Sequence, residues 1–183
     1  MNNLQKRILT SIIILPLSIF FIIKGGNFLF FFLLVIFFAG NHELFSVFNK
    51  KTTILFLDLI LILFLYSVFY LADYNSVSFY LLLWVIILVI CSDVGGYVFG
   101  KIFKWKKLTR ISPKKTFSGV LGSFIFSLFS VFIASSILPK ISDTFIHISS
   151  LDINFLDPKF FFLTIILSLV AQTGDLTISY FKR

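Results

Sequence analysis

Charge is scarce in this sequence. Asp, Glu, Lys and Arg make up 13% of the 183 residues, against about a quarter in a typical soluble domain. Hydrophobic residues fill 58% of the chain and the mean hydropathy is +1.03, which excludes an ordinary water-soluble globular domain. A single cysteine, Cys91, excludes an internal disulfide and any cysteine-based metal cluster. There is no internal repeat and no low-complexity linker. A basic start, Lys6-Arg7, precedes an apolar run as in a secretory leader, but no small-residue cleavage pattern follows and further apolar runs do. The 27 Phe residues suit contact with lipid and carry no chemistry by themselves.

What is present is a series of apolar runs long enough to cross a bilayer, which takes roughly 20 residues as a helix. They predict an all-α, polytopic membrane protein with about six transmembrane helices, over residues 8–23, 28–48, 53–72, 77–100, 117–138 and from 159 to the C-terminus. The whole of 1–183 reads as one transmembrane domain. Six spans put both termini on one side of the membrane. Thirteen of the 16 Lys and Arg residues fall on that side, with only Lys24, Lys140 and Lys159 opposite. The positive-inside rule makes the basic side cytoplasmic, and the expected location is the cell inner (cytoplasmic) membrane. The same distribution argues against a nucleic-acid partner despite the net charge of +8, because insertion alone gathers positive charge there.

Between the fourth and fifth spans, Lys101, Lys104, Lys106, Lys107, Arg110, Lys114 and Lys115 crowd into fifteen residues. One reading is a topology signal that also attracts anionic headgroups, at about 1 kcal/mol per basic residue near the surface. The other is a phosphate site. Ser112-Pro113 has the form of a helix start, with Ser as N-cap and Pro at the first helical position. Lys114 and Lys115 would then sit in the first turn, where the helix dipole disfavours cations. A bound anion, held by free N–H groups, the two lysines and the hydroxyls of Ser112 and Thr116, relieves that conflict.

Two intramembrane acids lie near the same depth. Asp93 stands in the last third of the fourth span, at a cost of about 2.5–3.5 kcal/mol near a bilayer centre. Gly96, Tyr97 and Gly100 share its face, and the two glycines form a small-xxx-small pair that permits close helix packing. Asp93 either serves a site or pairs with a loop lysine. In the last span, Ser168, Gln172, Asp175, Ser179 and Lys182 recur at steps of four, three, four and three, one polar stripe on an apolar helix. The stripe is either a site or helix–helix polar adhesion. Gly174 leaves room for another backbone to approach. Two acids facing a lysine-rich anion site is the layout of metal-assisted phosphoryl chemistry. Asp58 is isolated among apolar neighbours, and Glu43, beside His42 near the end of the second span, either faces the same site or merely ends the span.

These residues resemble those of the phosphatidate cytidylyltransferases, or CDP-diacylglycerol synthases. Ser92-Asp93-x-Gly95-Gly96-Tyr97-x-Phe99-Gly100 is similar to the family's Asp-x-Gly-Ala-Tyr-x-x-Gly stretch. Ser112-Pro113-Lys114-Lys115-Thr116-x-x-Gly119 is similar to its Ser-Pro-Lys-Lys-Thr-x-x-Gly loop, with Arg110 just before it. Gln172-x-Gly174-Asp175-Leu176-x-x-Ser179-x-x-Lys182-Arg183 is similar to the start of the family signature, and Glu43 to an acid ending the family's second helix. The resemblance implies attack of phosphatidate on the α-phosphate of CTP, giving CDP-diacylglycerol and pyrophosphate, with Mg²⁺ required. It implies Asp175, Lys115 and Lys182 as catalytic residues and Asp175 with Asp93 as metal ligands. Substrate would be bound by Arg110, Ser112, Lys114, Thr116, Ser179 and Arg183.

The family signature continues beyond the equivalent of Arg183 with a further Lys-Asp pair, a His-Gly-Gly turn and Asp-Arg-x-x-Asp. The chain therefore reads as C-terminally truncated, its activity alone in question, with a homodimer or a separate chain as the source of the remaining motif. The alternative is a catalytically inactive membrane remnant or lipid-binding scaffold of the same fold. A small transporter fits less well, because the halves do not repeat and the charged groups gather at one face instead of the midplane.

Overall fold

The computed structural model describes residue 14 and residues 16–73, 76–108, 115–141 and 153–181. Five helices among them are long and apolar enough to cross a membrane: α1 (Gly26–Val47), α2 (Lys51–Asp73), α3 (Ser76–Phe103), α4 (Phe117–Ile141) and α5 (Pro158–Phe181). With 22 to 28 residues each, they rise roughly 33–42 Å, enough for a hydrocarbon core of about 30 Å. Large side chains such as Phe28, Phe31 and Phe38 stand 63–67% exposed along α1, as a lipid-facing surface requires. The chain is a multi-pass helical membrane protein. Much of the first expected span lies outside the described residues, and its described part, 16–24, is helical.

The contacts divide the chain into two compact units, Met1–Asn75 and Ser76–Arg183. In the first, one non-helical residue separates helical residues 16–24 from α1. That reversal uses Gly25 at φ 61° and Gly26 at φ 50°, left-handed values that cost a residue with a Cβ but not glycine. Phe21 stacks on Phe32 at 4.7 Å between ring centroids, and Phe30 meets Phe69 edge-on, so aromatic contacts join these helices in sequence order. Gly40 of α1 faces the Leu61 side chain of α2, which a Cβ there would meet at 3.0 Å.

In the second unit, α3 and α4 form the tightest pair. A Cβ on Gly95 would strike the Gly122 carbonyl oxygen and Phe126, and one on Gly122 would strike Phe99. A Cβ on Gly96 would stand 2.6 Å from Ser123 Oγ, and one on Gly100 3.2 Å from Thr116 Oγ1. The small-residue pair expected on α3 is thus used, and α4 answers it with glycines of its own, Gly119 and Gly122. Without a hydrophobic drive between helices in lipid, such close approach is what yields dispersion contact. α5 joins through rings, with Trp84 of α3 edge-on to Phe160 at 5.3 Å and Phe132 of α4 edge-on to Phe161.

The helix ends differ from sequence expectation in instructive ways. α3 runs to Phe103 instead of Gly100 and stops where Lys104 turns left-handed at φ 46°, the position that commonly follows a helix end. α4 continues through Pro139 to Ile141. It starts at Phe117, capped by Thr116, whose Oγ1 accepts the Gly119 N–H at 3.2 Å. Lys115 therefore precedes the helix and does not lie in its first turn, which corrects the reading from Ser112-Pro113. The cause is a pairing that holds this segment extended. Leu108 N–H donates to the Lys115 carbonyl at 2.8 Å, and Phe117 N–H to that of Lys106 at 3.1 Å. Ser112 and Pro113 themselves lie outside the described residues.

Candidate active site

Lys115 reaches α5 from the entry of α4. Its Nζ lies 2.9 Å from Asp175 Oδ2, joining residues sixty apart in sequence. Each partner is where it is for a backbone reason. Lys115 is held by the pairing with Leu108 just before the α4 cap. Asp175 lies six residues before the last residue of α5, less than two turns from its end. The pair is open to its surroundings, with side chains 29% and 61% exposed. It is therefore worth about 0–1 kcal/mol as a structural tie.

The pair borders a cavity of about 640 Å³ between α3, α4 and α5. Asp93, Gly96 and Gly100 line it from α3, Thr116, Gly119 and Ser123 from the α4 side, and Gln172, Gly174 and Asp175 from α5. Asp93 interacts electrostatically with both Asp175 and Lys115. Its lining therefore carries charge, while Val89, Val120, Ala171 and Leu176 give it apolar walls. Such a space suits a molecule with an anionic head and a hydrocarbon body.

Of the predicted site residues, Asp93, Lys115, Thr116 and Asp175 come together around this cavity. Ser179 is spent differently: its hydroxyl donates to the Asp175 carbonyl one turn back at 2.8 Å, and it is not among the lining residues. Arg110, Ser112, Lys114, Lys182 and Arg183 lie outside the described residues. Glu43 and Asp58 belong to the first unit. Gly174 does not admit another backbone; a Cβ there would meet nothing within 4 Å among the described residues, and the residue borders the cavity. Sequence reasoning missed Ser123, which Gly96 faces, and Lys101, which lines the cavity and sits 5.7 Å from the Tyr97 ring centre. Only the pairing of α3 with α4 brings Ser123 into view. Lys101 carries no signal apart from its place in a lysine run.

Among the described residues no group of three or more His, Cys, Asp or Glu is arranged to hold a metal ion. Two carboxylates beside a lysine do fit Mg²⁺. That ion takes one or two protein carboxylates and completes its shell with water and substrate phosphates.

Five helices long and apolar enough to cross a membrane, three of them enclosing a cavity lined by a lysine and two carboxylates, define a multi-pass membrane protein with a charged internal site. The chain belongs to the cytidylyltransferase family, whose model matches residues 50–183. It is 35% identical over 115 residues to a phosphatidate cytidylyltransferase of Staphylococcus saprophyticus, a match covering 62% of this chain and 39% of that protein. A phosphatidate cytidylyltransferase of Rickettsia felis is 27% identical over 183 residues, 100% of this chain and 78% of that one. Phosphatidate cytidylyltransferase 1 of Rattus norvegicus is 42% identical over 52 residues, 28% of this chain and 11% of the rat protein. The matches to the Staphylococcus and rat relatives thus span well under half of their lengths. No solved structure matches the chain.

Proposed function

We propose that the chain carries the chemistry of a phosphatidate cytidylyltransferase: a phosphate oxygen of phosphatidate attacks the α-phosphorus of CTP, and pyrophosphate leaves. The products are CDP-diacylglycerol and pyrophosphate, made in the cytoplasmic membrane with the lysine-rich end of the helices on the cytoplasmic side. The observation that carries this reading is the Lys115–Asp175 contact at 2.9 Å, on the border of a cavity that Asp93 shares. The relatives' names support it.

The residues divide the work by charge. Asp93 and Asp175 would hold Mg²⁺, which supplies neutralisation of phosphate charge when bound. Lys115 gives a cation beside Asp175, placed to take a phosphate oxygen once Asp175 is engaged elsewhere. Thr116 fixes the turn that presents Lys115, through its bond from Gly119. The family resemblance adds Arg110, Ser112, Lys114, Lys182 and Arg183 as phosphate contacts, while Ser179, whose hydroxyl donates to the Asp175 carbonyl, supports the backbone that carries Asp175. The apolar walls at Val89 and Ala171 accept the diacylglycerol body.

The test is incorporation of labelled CTP into lipid by membranes containing this chain, given phosphatidate and Mg²⁺. The same assay is run with a co-expressed C-terminal segment of the Staphylococcus relative. Magnesium-dependent labelled lipid in either arm is the expected result. Its absence from both, with the chain shown folded and a family member active in parallel, overturns the proposal.

A further inference from the structure

On the far side of the first turns of α4 lies a second cavity, about 620 Å³, lined by Trp105, Lys106, Phe117, Val120 and Leu121. Val120 is common to both cavities. Thr116, Gly119 and Ser123 face the Lys115–Asp175 cavity, while Phe117 and Leu121 face the other. The second cavity therefore belongs to a different face of the helix and does not reach the acids.

Its surface is almost wholly apolar, and charge stands only at its rim. Trp105, Phe117 and Leu121 are about half exposed, at 53%, 50% and 49%, and form an apolar trough. Lys106 stands at its edge, flanked by exposed Lys104 and Lys107. Among the described residues the one salt bridge is Lys115–Asp175, so these three ammonium groups face no carboxylate there. The trough is also built in place. The Lys106 carbonyl accepts the N–H of Phe117, the first residue of α4, and the Leu108 N–H is held by Lys115. Trp105 lies two residues past the end of α3 and Phe117 begins α4, so the trough sits at the ends of two spans, where headgroups meet hydrocarbon. Phosphate is the natural counter-charge for unpaired lysines at that depth, and an acyl chain is the natural filling for a trough of Trp, Phe and Leu.

We infer that this trough seats an anionic phospholipid of the surrounding bilayer, its acyl chain against Trp105, Phe117 and Leu121 and its phosphate on Lys106. The seated lipid is a bound component of the fold and not the reacting lipid, since α4 separates it from Asp93 and Asp175. The inference does not depend on the proposed catalytic activity.

The chain has two tryptophans, so Trp84→Phe leaves Trp105 as the sole indole. That variant of the full chain is reconstituted into phosphatidylcholine vesicles doped with brominated phosphatidylglycerol or, at equal bromine density, brominated phosphatidylcholine. Emission from Trp105 is expected to be quenched about five-fold more steeply by the anionic lipid, the enrichment that one lysine contact gives. Lys106→Gln should abolish the difference, and excess inorganic phosphate should leave it in place. Equal quenching by the two lipids overturns the proposal. So does a preference that survives Lys106→Gln, or one that free phosphate removes, which would mark a soluble-anion site. Should Trp84→Phe fail to fold, the wild-type signal minus that of Trp105→Phe gives the same reading.

Discussion

Lys115 Nζ and Asp175 Oδ2 stand 2.9 Å apart across sixty residues of sequence, yet the two side chains remain 29% and 61% exposed. A pair so open adds little to stability, so its presence beside a cavity in a membrane protein is better explained by what it binds. Lys115→Ala and Asp175→Asn should each lower CTP incorporation by about 10²–10³-fold, the range seen when a charge-stabilising group is lost from an active site. Thermal unfolding in detergent should move by no more than about 1 kcal/mol of stability. Large unfolding shifts with retained turnover would make the pair structural.

The seam between α3 and α4 makes the opposite prediction. Gly122→Ala puts a methyl against the Gly95 carbonyl and Phe99, and overpacking of this kind costs about 1–3 kcal/mol. The matched control is Gly174→Ala, where a Cβ meets nothing within 4 Å among the described residues. Exchanging a helical glycine there should stabilise by up to about 1 kcal/mol. Unfolding midpoints of the two variants in one detergent should therefore move in opposite directions; movement of both the same way would contradict the packing described.

Trp84 is 2% exposed and its Nε1 has no hydrogen-bond partner among the described residues. A buried donor without a partner costs about 1–3 kcal/mol, so removing it offsets much of the packing lost with the larger ring. Trp84→Phe should lie within about 1 kcal/mol of wild type. A much larger loss would reveal a partner for the indole N–H, and chemical denaturation followed by circular dichroism decides it.

The lysines between α3 and α4 give the proposed orientation a direct test. If the basic segment is cytoplasmic, as the positive-inside rule proposes, then in a Cys91→Ala background Lys104→Cys should resist a membrane-impermeant maleimide in intact cells and react in inverted vesicles. Leu156→Cys, exposed just before α5, should show the reverse pattern. Labelling of both from one side would break the alternation that α4 imposes.

The spans were legible because lipid leaves the chain so few options: a long apolar run must satisfy its backbone internally, and a helix does so. The meeting of Lys115 with Asp175 was foreshadowed by depth, since Lys115 comes just before α4 begins and Asp175 shortly before α5 ends, which successive spans put on one side. The seam was half legible. Gly96 and Gly100 announced a close approach, but the answering glycines on α4 depend on how that helix is rotated, which its own sequence does not determine. The start of α4 misled because Ser112-Pro113 is a strong local signal, while the feature that sets the boundary is backbone pairing of Lys106 and Leu108 with Phe117 and Lys115. Gly174 misled for a related reason: glycine permits close approach without requiring it, and here it borders a cavity.

The most direct test of the site is equilibrium binding of labelled CTP to the purified chain, with and without Mg²⁺. The account predicts magnesium-dependent binding by the wild type, binding weakened at least about ten-fold in Lys115→Ala, and loss of the magnesium dependence in Asp175→Asn. Binding that is indifferent to Mg²⁺ and equal in all three proteins would contradict the assignment of Lys115 and Asp175 to the nucleotide and its metal.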